Sequence, residues 1–313
     1  MSLKMPKISI IMCTYNRAQF LSRSIESILS QTFTDFEFIV VINGSTDSSE
    51  IICNKYAEQD SRIRLIPITE NRGAPVGRNK GLEVASCEFI TIVDDDDCCE
   101  PQMLEFLWGL ATKYNADIAM CGSWNDFSSR KEPYFIFDDL LILDKVQGLD
   151  ELLKREKYNV APPTKLFRKT LFDGIHFKEN VIVDDIHIIY KIFAKANIVV
   201  VQGKPLYSFT KHGSNMTSFI QTDVLSPRIL NEYLSAFRQR TEYLCKNVPG
   251  ITSRVRYSEW SYMISMCQKI KQYNNTDCSE TYEFMVKTLH ENYSELIENP
   301  FITEMEKTQL KGM

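Results

Sequence analysis

Four consecutive carboxylates, Asp94-Asp95-Asp96-Asp97, follow the apolar run Phe89 to Val93 and end just before Cys98-Cys99-Glu100-Pro101. Like charges a few Å apart repel by roughly 1 to 4 kcal/mol per pair. A divalent cation joining the group relieves that repulsion. Carboxylate oxygens suit Mg2+ or Mn2+, and Mg2+ is usually held by one or two carboxylates together with substrate phosphates. The plainer alternative is a solvated acidic turn that caps the next helix. A second acidic pair, Asp184-Asp185, follows Val181-Ile182-Val183 and precedes Ile188, Ile189 and Ile192. There Asp184 suits an N-cap, where a helix dipole is worth about 0.3–1 kcal/mol.

The elements that must position these groups are legible in the first 120 residues, where strand and helix alternate. Ile8 to Met12 and Phe38 to Ile42 are apolar runs of the kind buried on both faces of a sheet. Phe20, Leu21, Ile25, Ile28 and Leu29 recur at helical spacing. Ser45 and Thr46 are N-cap candidates, with Asp47 opening a helix that carries Ile52 and Tyr56. Ile63 to Ile68 reads as an edge strand, because Pro67 cannot donate to a ladder. Pro75 fits the first turn of a helix. Phe89 to Val93 is a fourth strand, Pro101 opens a helix through Leu104, Leu107 and Trp108, and Ile118 to Cys121 is a fifth strand. This alternation predicts a mainly parallel, doubly wound α/β sheet. Ligands of such sheets sit beyond the carboxyl ends of the strands. The segments to watch are therefore Thr14-Tyr15-Asn16-Arg17, Asn43-Gly44-Ser45-Thr46-Asp47 and Asp94 to Asp97, and that position favours a metal site over an acidic turn. From about Ser123 to Thr217 the pattern is less regular, with a helix expected from Asp185 to Ala194. From about Asp223 it becomes helical, so residues 1–222 and 223–313 are expected to form a catalytic domain and a helical appendage.

The segment Ile8 to Arg17 resembles the opening strand of family 2 glycosyltransferases, which have the GT-A fold. So does Ser27 to Phe33, followed by Glu37 and the Asn43 to Asp47 loop. Asn71-Arg72-Gly73 through Arg78-Asn79-Lys80-Gly81 is similar to the family's next signature, and Asp94-x-Asp96-Asp97 to its acidic metal motif. The resemblance spans about the first 217 residues. It implies an inverting, metal-dependent transfer of a sugar from a nucleotide-diphosphate sugar to a hydroxyl of a glycan or lipid-linked acceptor, in the manner of surface-polysaccharide assembly. Thr14, Tyr15, Arg17 and Asn43 would line the nucleotide pocket, with Arg78, Asp94 and Asp95 also at the nucleotide. Asp96, Asp94 and His212 would hold Mn2+ or Mg2+, and Lys211 would neutralise phosphate charge. Asp185 would be the general base. The loop Tyr207 to Ser218 would close the domain. The family often has an acid at the position of Asn43. A carboxylate accepts the N3-H of uracil, whereas an amide accepts or donates. UDP-sugars lead the expectation, and thymidine, guanosine and cytidine donors stay open. Without the resemblance, Tyr15 is a packing residue, Arg78 pairs with a surface carboxylate, Asn43 serves the turn before Gly44, and His212 is a solvated loop residue.

Composition excludes several classes. Among 313 residues, 36 Lys and Arg against 41 Asp and Glu give a net charge of -5, which exerts no pull toward nucleic acid. No run of about 20 apolar residues is present to span a bilayer, so any membrane contact would be peripheral, at the inner face of the cell membrane. The stretch Met1 to Pro6 lacks the apolar region of a secretory signal, and Met1-Ser2-Leu3 ahead of Met5 reads as an added leader. Nine scattered Cys favour neither a zinc site nor a disulfide framework, as in a reducing cytoplasm. His176, His187 and His290 have no partner pattern. Trp108, Trp124 and Trp260 read as core, with Trp124 also placed to face an acceptor sugar. A homo-oligomer formed through the helical tail is one further expectation. Two other functions stand beside glycosyl transfer. A nucleotidyltransferase usually has a Gly- and Lys-rich loop after the first strand, which Thr14 to Arg17 is not. A catalytically silent sugar-nucleotide-binding assembly protein would not need Asp96 and Asp185. No G-x-G-x-x-G follows the first strand, against dinucleotide binding.

Overall fold

The computed structural model describes residues 6–213, 215 and 226–313. Residues 1–5, with the expected leader Met1-Ser2-Leu3, Ser214 with the end of the expected closing loop, and the expected boundary at 222/223 lie outside the described residues. The chain runs β1 (Ile8–Thr14), α1 (Ala18–Leu29), β2 (Phe36–Asn43), α2 (Ser49–Gln59), β3 (Ile63–Ile68), α3 (Ala74–Val84), β4 (Phe89–Asp94), β5 (Cys98–Cys99), α4 (Met103–Lys113) and β6 (Ile118–Asp126). It continues through β7 (Lys131–Tyr134), β8 (Leu140–Asp144), α5 (Lys145–Lys154), β9 (Lys165–Arg168), α6 (Ile189–Lys195) and β10 (Ile198–Thr210). Helices α7 (Pro227–Asn247), α8 (Thr252–Gln272), α9 (Ser279–Glu291), α10 (Tyr293–Glu298) and α11 (Glu304–Lys311) complete it.

Among the described residues one sheet has the order β3-β2-β1-β4-β9-β6-β10-β5, with β7 beside β6 and β8 beside β10. Strands β3, β2, β1 and β4 are mutually parallel, and β3 is the edge, as Pro67 requires. Strand side chains alternate between two cores. Ile8, Ile10 and Met12 of β1 join Leu21, Ile25 and Ile28 of α1 on one face. Ile11 with Ile39 and Val41 faces the other layer, built from α5 and α6. The continuous apolar runs of the sequence are thus strands covered on both sides. A third core belongs to the carboxyl-terminal helices, around Trp260, Met263, Met285 and Leu289.

Several boundaries differ from the sequence reading. Strand β9 is antiparallel to both β4 and β6 and separates them, so the parallel half ends at β4. Helix α2 begins at Ser49 rather than at Asp47, because Ser45 and Thr46 are tied to Asn16 and the Asp47 carboxylate accepts the Ser49 N–H at 2.9 Å. Pro101 lies in the turn before α4 rather than in its first residue. The helix expected over Asp185 to Ala194 is a single 3-10 turn, Asp185–His187, followed by α6. Asp184 makes no cap hydrogen bond there; its carboxylate is engaged by Arg78.

Candidate active site

Strand β1 has β2 and then β3 on one side and β4 on the other, so strand order reverses between β1 and β4. Ligands of open α/β sheets bind at that switch point. Cys13 is paired in register with Asp94, which sets the Thr14 to Arg17 loop beside the acidic run. A cavity of about 640 Å3 opens there, lined by Tyr15, Arg17, Asn43, Arg78, all four aspartates from Asp94 to Asp97, and Asp184 and Asp185. Residues separated by some 170 positions in the chain therefore share one wall.

The acidic run is held by its backbone. The Ser24 hydroxyl lies 2.9 Å from the Asp95 carbonyl and 2.7 Å from that of Asp97, and Arg23 Nη2 donates to the Asp96 carbonyl at 3.3 Å. With the carbonyls anchored to α1, the carboxylates face inward. Asp97 is the innermost: the Tyr207 hydroxyl donates to its Oδ2 at 2.8 Å and the Thr210 N–H to its Oδ1 at 2.7 Å. Burial, then the charges of Asp94 and Asp96, push the Asp97 carboxyl well above the usual carboxylate range. Burial and then Asp96 push Asp95 up to about 7. Asp94 is also raised by burial, against the pull of Arg78. Three neighbouring carboxyls that resist ionising make a site suited to accepting positive charge.

Arg17 answers part of that demand. Its Nε is 3.7 Å from Asp95 Oδ1 and its Nη2 is 3.9 Å from Asp96 Oδ2. His212, expected as a metal ligand, sits with Nε2 3.0 Å from Asp96 Oδ2 and 3.1 Å from Asn215 Nδ2, and stacks on Phe20 at 4.2 Å between ring centroids. Lys211 lines the cavity beside it, and burial lowers its pKa.

The nucleotide-side residues divide. Tyr15 is 40% exposed on the cavity wall, as a stacking surface would be. Thr14 is fully buried with its hydroxyl toward Asp95, behind the wall rather than on it. Asn43 reaches the wall, but its amide is spent on the neighbouring loop. Its Nδ2 donates to Asn71 Oδ1 and the Gly73 carbonyl at 3.1 Å each, and its Oδ1 accepts the Arg72 N–H at 3.2 Å. Gly44 beside it has φ +69°, and a Cβ there would lie 2.3 Å from the Glu70 carbonyl carbon. Arg78, expected at the nucleotide, instead directs Nη1 to both Asp184 oxygens at 2.6 Å and Nη2 to Asp94 at 3.1 Å.

Asp185, beside that ion pair, has one carboxylate oxygen accepting the Ile186 N–H at 2.7 Å. Burial first, and then Asp184, raise its pKa to about 6. It is therefore ionised at neutral pH yet basic enough to take a proton, the balance a general base needs.

Sequence reasoning missed the far half of the cavity. Tyr233, Phe237 and Arg240 of α7 and Ser258 and Tyr262 of α8 line it, so the carboxyl-terminal helices complete the site rather than append to it. Asn16 was passed over as well. Its φ of 52° is the left-handed conformation that Asn tolerates, and its side-chain oxygen accepts the Thr46 N–H at 2.8 Å, clamping the loop after β1 to the loop after β2. Trp124, read as core with an acceptor-facing position as the alternative, is half-buried and does not line this cavity.

The profile of Glycosyl transferase family 2 matches residues 9–175, more than half of the chain. The chain belongs to glycosyl transferase family 2. The glycosyltransferase GlyG of Streptococcus pneumoniae serotype 4 is 30% identical over 67% of this chain and 72% of its own length. GlyA of the same organism is 27% identical over 81% of this chain, which spans only 40% of GlyA. Among solved structures, S. aureus TarS residues 1–349 in complex with UDP-GlcNAc gives a TM-score of 0.65 at 19% identity, covering 98% of this chain and 91% of that one. The mannosyltransferase PcManGT from Pyrobaculum calidifontis, in complex with GDP-Man and Mn2+, gives 0.62 at 15% identity, over 99% and 84% of the two chains. The fold of this family 2 glycosyltransferase is thus the GT-A type. A nucleotidyltransferase is set aside by the family match. Among the described residues, no helix is long and apolar enough to cross a membrane.

Proposed function

We propose that this glycosyltransferase moves a sugar from a nucleotide-diphosphate sugar to a hydroxyl of a glycan or lipid-linked acceptor, inverting the anomeric centre, in the assembly of a surface polysaccharide. The observation that carries the reading is the joint placement of Asp94 to Asp96 and Asp185 on one cavity at the β1/β4 switch point. Tyr15 stacks on the base, and Asn43 positions the Asn71 to Gly73 loop around it. A donor bound there points its sugar toward Asp185. The Asp185 carboxylate removes the proton of the acceptor hydroxyl as that oxygen bonds to the anomeric carbon. The bond between that carbon and the diphosphate oxygen breaks, and its electron pair leaves with the nucleoside diphosphate.

A divalent cation fits the residues present. Burial raises the pKa values of Asp94, Asp95 and Asp97 in spite of Arg78 beside Asp94 and Arg17 beside Asp95. Among the described residues no group of three or more His, Cys, Asp or Glu is set to hold a metal unaided. Asp96, with Asp94 or His212, would hold such an ion together with the diphosphate of the donor. Such an ion would offset charge on the departing diphosphate. Arg17 and Lys211 stand on the same wall to bind and orient the phosphates.

Thermal unfolding with UDP, GDP, dTDP and CDP, each with and without Mn2+, tests the reading, because ligands that bind the native state raise its stability by mass action. The expected result is a midpoint rise with one nucleotide that vanishes on chelation of Mn2+. If no nucleotide gives a metal-dependent rise, the reading fails.

A further inference from the structure

The half of the cavity beyond Asp185 is lined by two arginines, Arg240 and Arg155, and among the described residues neither forms an ion pair; the Arg240 guanidinium rests 4.2 Å over the Phe237 ring. Arg240 is only 7% exposed. Its Nη2 donates to Ser258 Oγ at 3.0 Å, and its Nε has no hydrogen-bond partner. No described carboxylate forms an ion pair with it. Glu259 acts on it only through its field, and burial raises the pKa of Glu259 itself, which weakens that counter-charge. Burial lowers the pKa of Arg240 to about 10. A buried guanidinium left in this state is costly unless something pairs with it. Arg155 adds a second cation. It ends α5 in the left-handed conformation, φ 61°, which non-glycine residues rarely adopt. It is exposed on the cavity wall, and its charge acts on both Asp185 and Tyr233. On the same wall, the rings of Tyr233 and Tyr262 stack with centroids 5.9 Å apart and 26° between planes. Aromatic faces present an apolar body with a polar tip, which suits the mixed surface of a sugar ring.

Resting on the glycosyl-transfer reading above, we propose that α7, α8 and the end of α5 form an acceptor subsite for a sugar unit bearing an anionic group, a phosphate ester or a carboxylate. The tyrosine pair receives the ring, Arg240 and Arg155 receive the anion, and the attacking hydroxyl is left facing Asp185. Guanidinium groups match both kinds of anion through paired N–H donors.

The test compares three acceptors on the wild-type protein with the donor that binds best: octyl glucoside, its phosphate ester and octyl glucuronide. Acceptor-dependent release of nucleoside diphosphate is the readout. One of the two anionic acceptors is expected to exceed the neutral one by about tenfold or more in kcat/KM, and which one does so identifies the anion. Arg240→Gln is expected to bring that preference down to about twofold or less, and Arg240→Lys to restore part of it. Arg155→Gln, at an exposed position where folding is not at stake, is expected to lower it as well. Equal use of the three acceptors, preference for the neutral one, or a preference that survives both glutamine substitutions overturns the subsite while leaving glycosyl transfer standing. Failure to release nucleoside diphosphate from any donor with any acceptor overturns the transfer reading, and the subsite with it.

Discussion

Arg78 joins the two acidic segments of the cavity by directing Nη1 onto the Asp184 carboxylate at 2.6 Å, 106 residues away, while Nη2 reaches Asp94 at 3.1 Å. Its guanidinium also lies 5.5 Å from the centre of the Phe177 ring. The field of Asp184 and Asp94 holds Arg78 firmly protonated against the effect of burial. The pair fixes the loop that carries Asp185 against the strand that carries the acidic run.

Removing one partner of such a buried pair leaves an uncompensated charge, at a cost of about 3–5 kcal/mol. Arg78→Leu is therefore expected to lose about that much stability in urea denaturation. The double substitution Arg78→Leu with Asp184→Leu is expected to recover a good part of it, because no lone charge remains at that pair. A loss below about 1 kcal/mol in the single variant would show that water solvates the pair well enough to make it dispensable.

Asp185, the proposed general base, must be ionised to take a proton. Its pKa, raised to about 6, then sets the acid limb of the reaction. The transfer rate is expected to be level above about pH 7 and to fall tenfold per unit below the pKa near 6. Asp185→Asn is expected to lower kcat by about 10²–10⁴-fold and to abolish that limb, with the nucleotide-induced thermal shift retained. An unchanged limb in the asparagine variant would assign it to another group.

The parallel half of this architecture was legible because its strands are buried on both faces and its helices carry a single apolar stripe. The acidic run and Asp184-Asp185 were legible because consecutive carboxylates are costly without a counter-charge. Strand β9 was not, since four residues carry no readable period and its place between β4 and β6 depends on pairings 45 to 79 residues distant. Arg240 was not either. On a helix of mixed charge it reads as a surface residue, and only the docking of α7 against α8 buries it. The role of Asn43 lay in between: its position named the loop, but only the geometry shows that the amide serves Asn71 to Gly73.

Lys165 is buried to 1% exposure on β9, with Nζ donating to the Ala161 carbonyl at 2.6 Å. Burial lowers its pKa to about 7, against about 10.4 in an unfolded chain. Between those values the unfolded chain holds a proton that the folded protein does not, so stability rises with pH through that window and is lost as pH falls through 7. The slope from this one group is about 1.4 kcal/mol per pH unit. Urea denaturation at several values between about pH 7.5 and 9 is expected to show a steeper rise for the wild type than for Lys165→Met. Identical slopes would mean that the ammonium stays charged in its carbonyl cage.

Gly77 is the point where α3 rests on β1. A Cβ there would lie 2.1 Å from Cys13 Sγ, too close for any real contact, so the Cys13 side chain, the helix or the strand must shift. Overpacking of this kind costs about 1–3 kcal/mol, and Gly77→Ala is expected to lose that much stability. Arg78 is the next residue, so any displacement of α3 also loosens its hold on Asp184 and Asp94, and the transfer rate is expected to fall with stability. Cys13→Ala removes the sulfur in the way. Combined with Gly77→Ala it is expected to regain stability, giving a coupling of about 1 kcal/mol or more in a double-mutant cycle. Additive losses would show instead that the helix yields elsewhere, and that the contact between Gly77 and Cys13 does not set the position of Arg78.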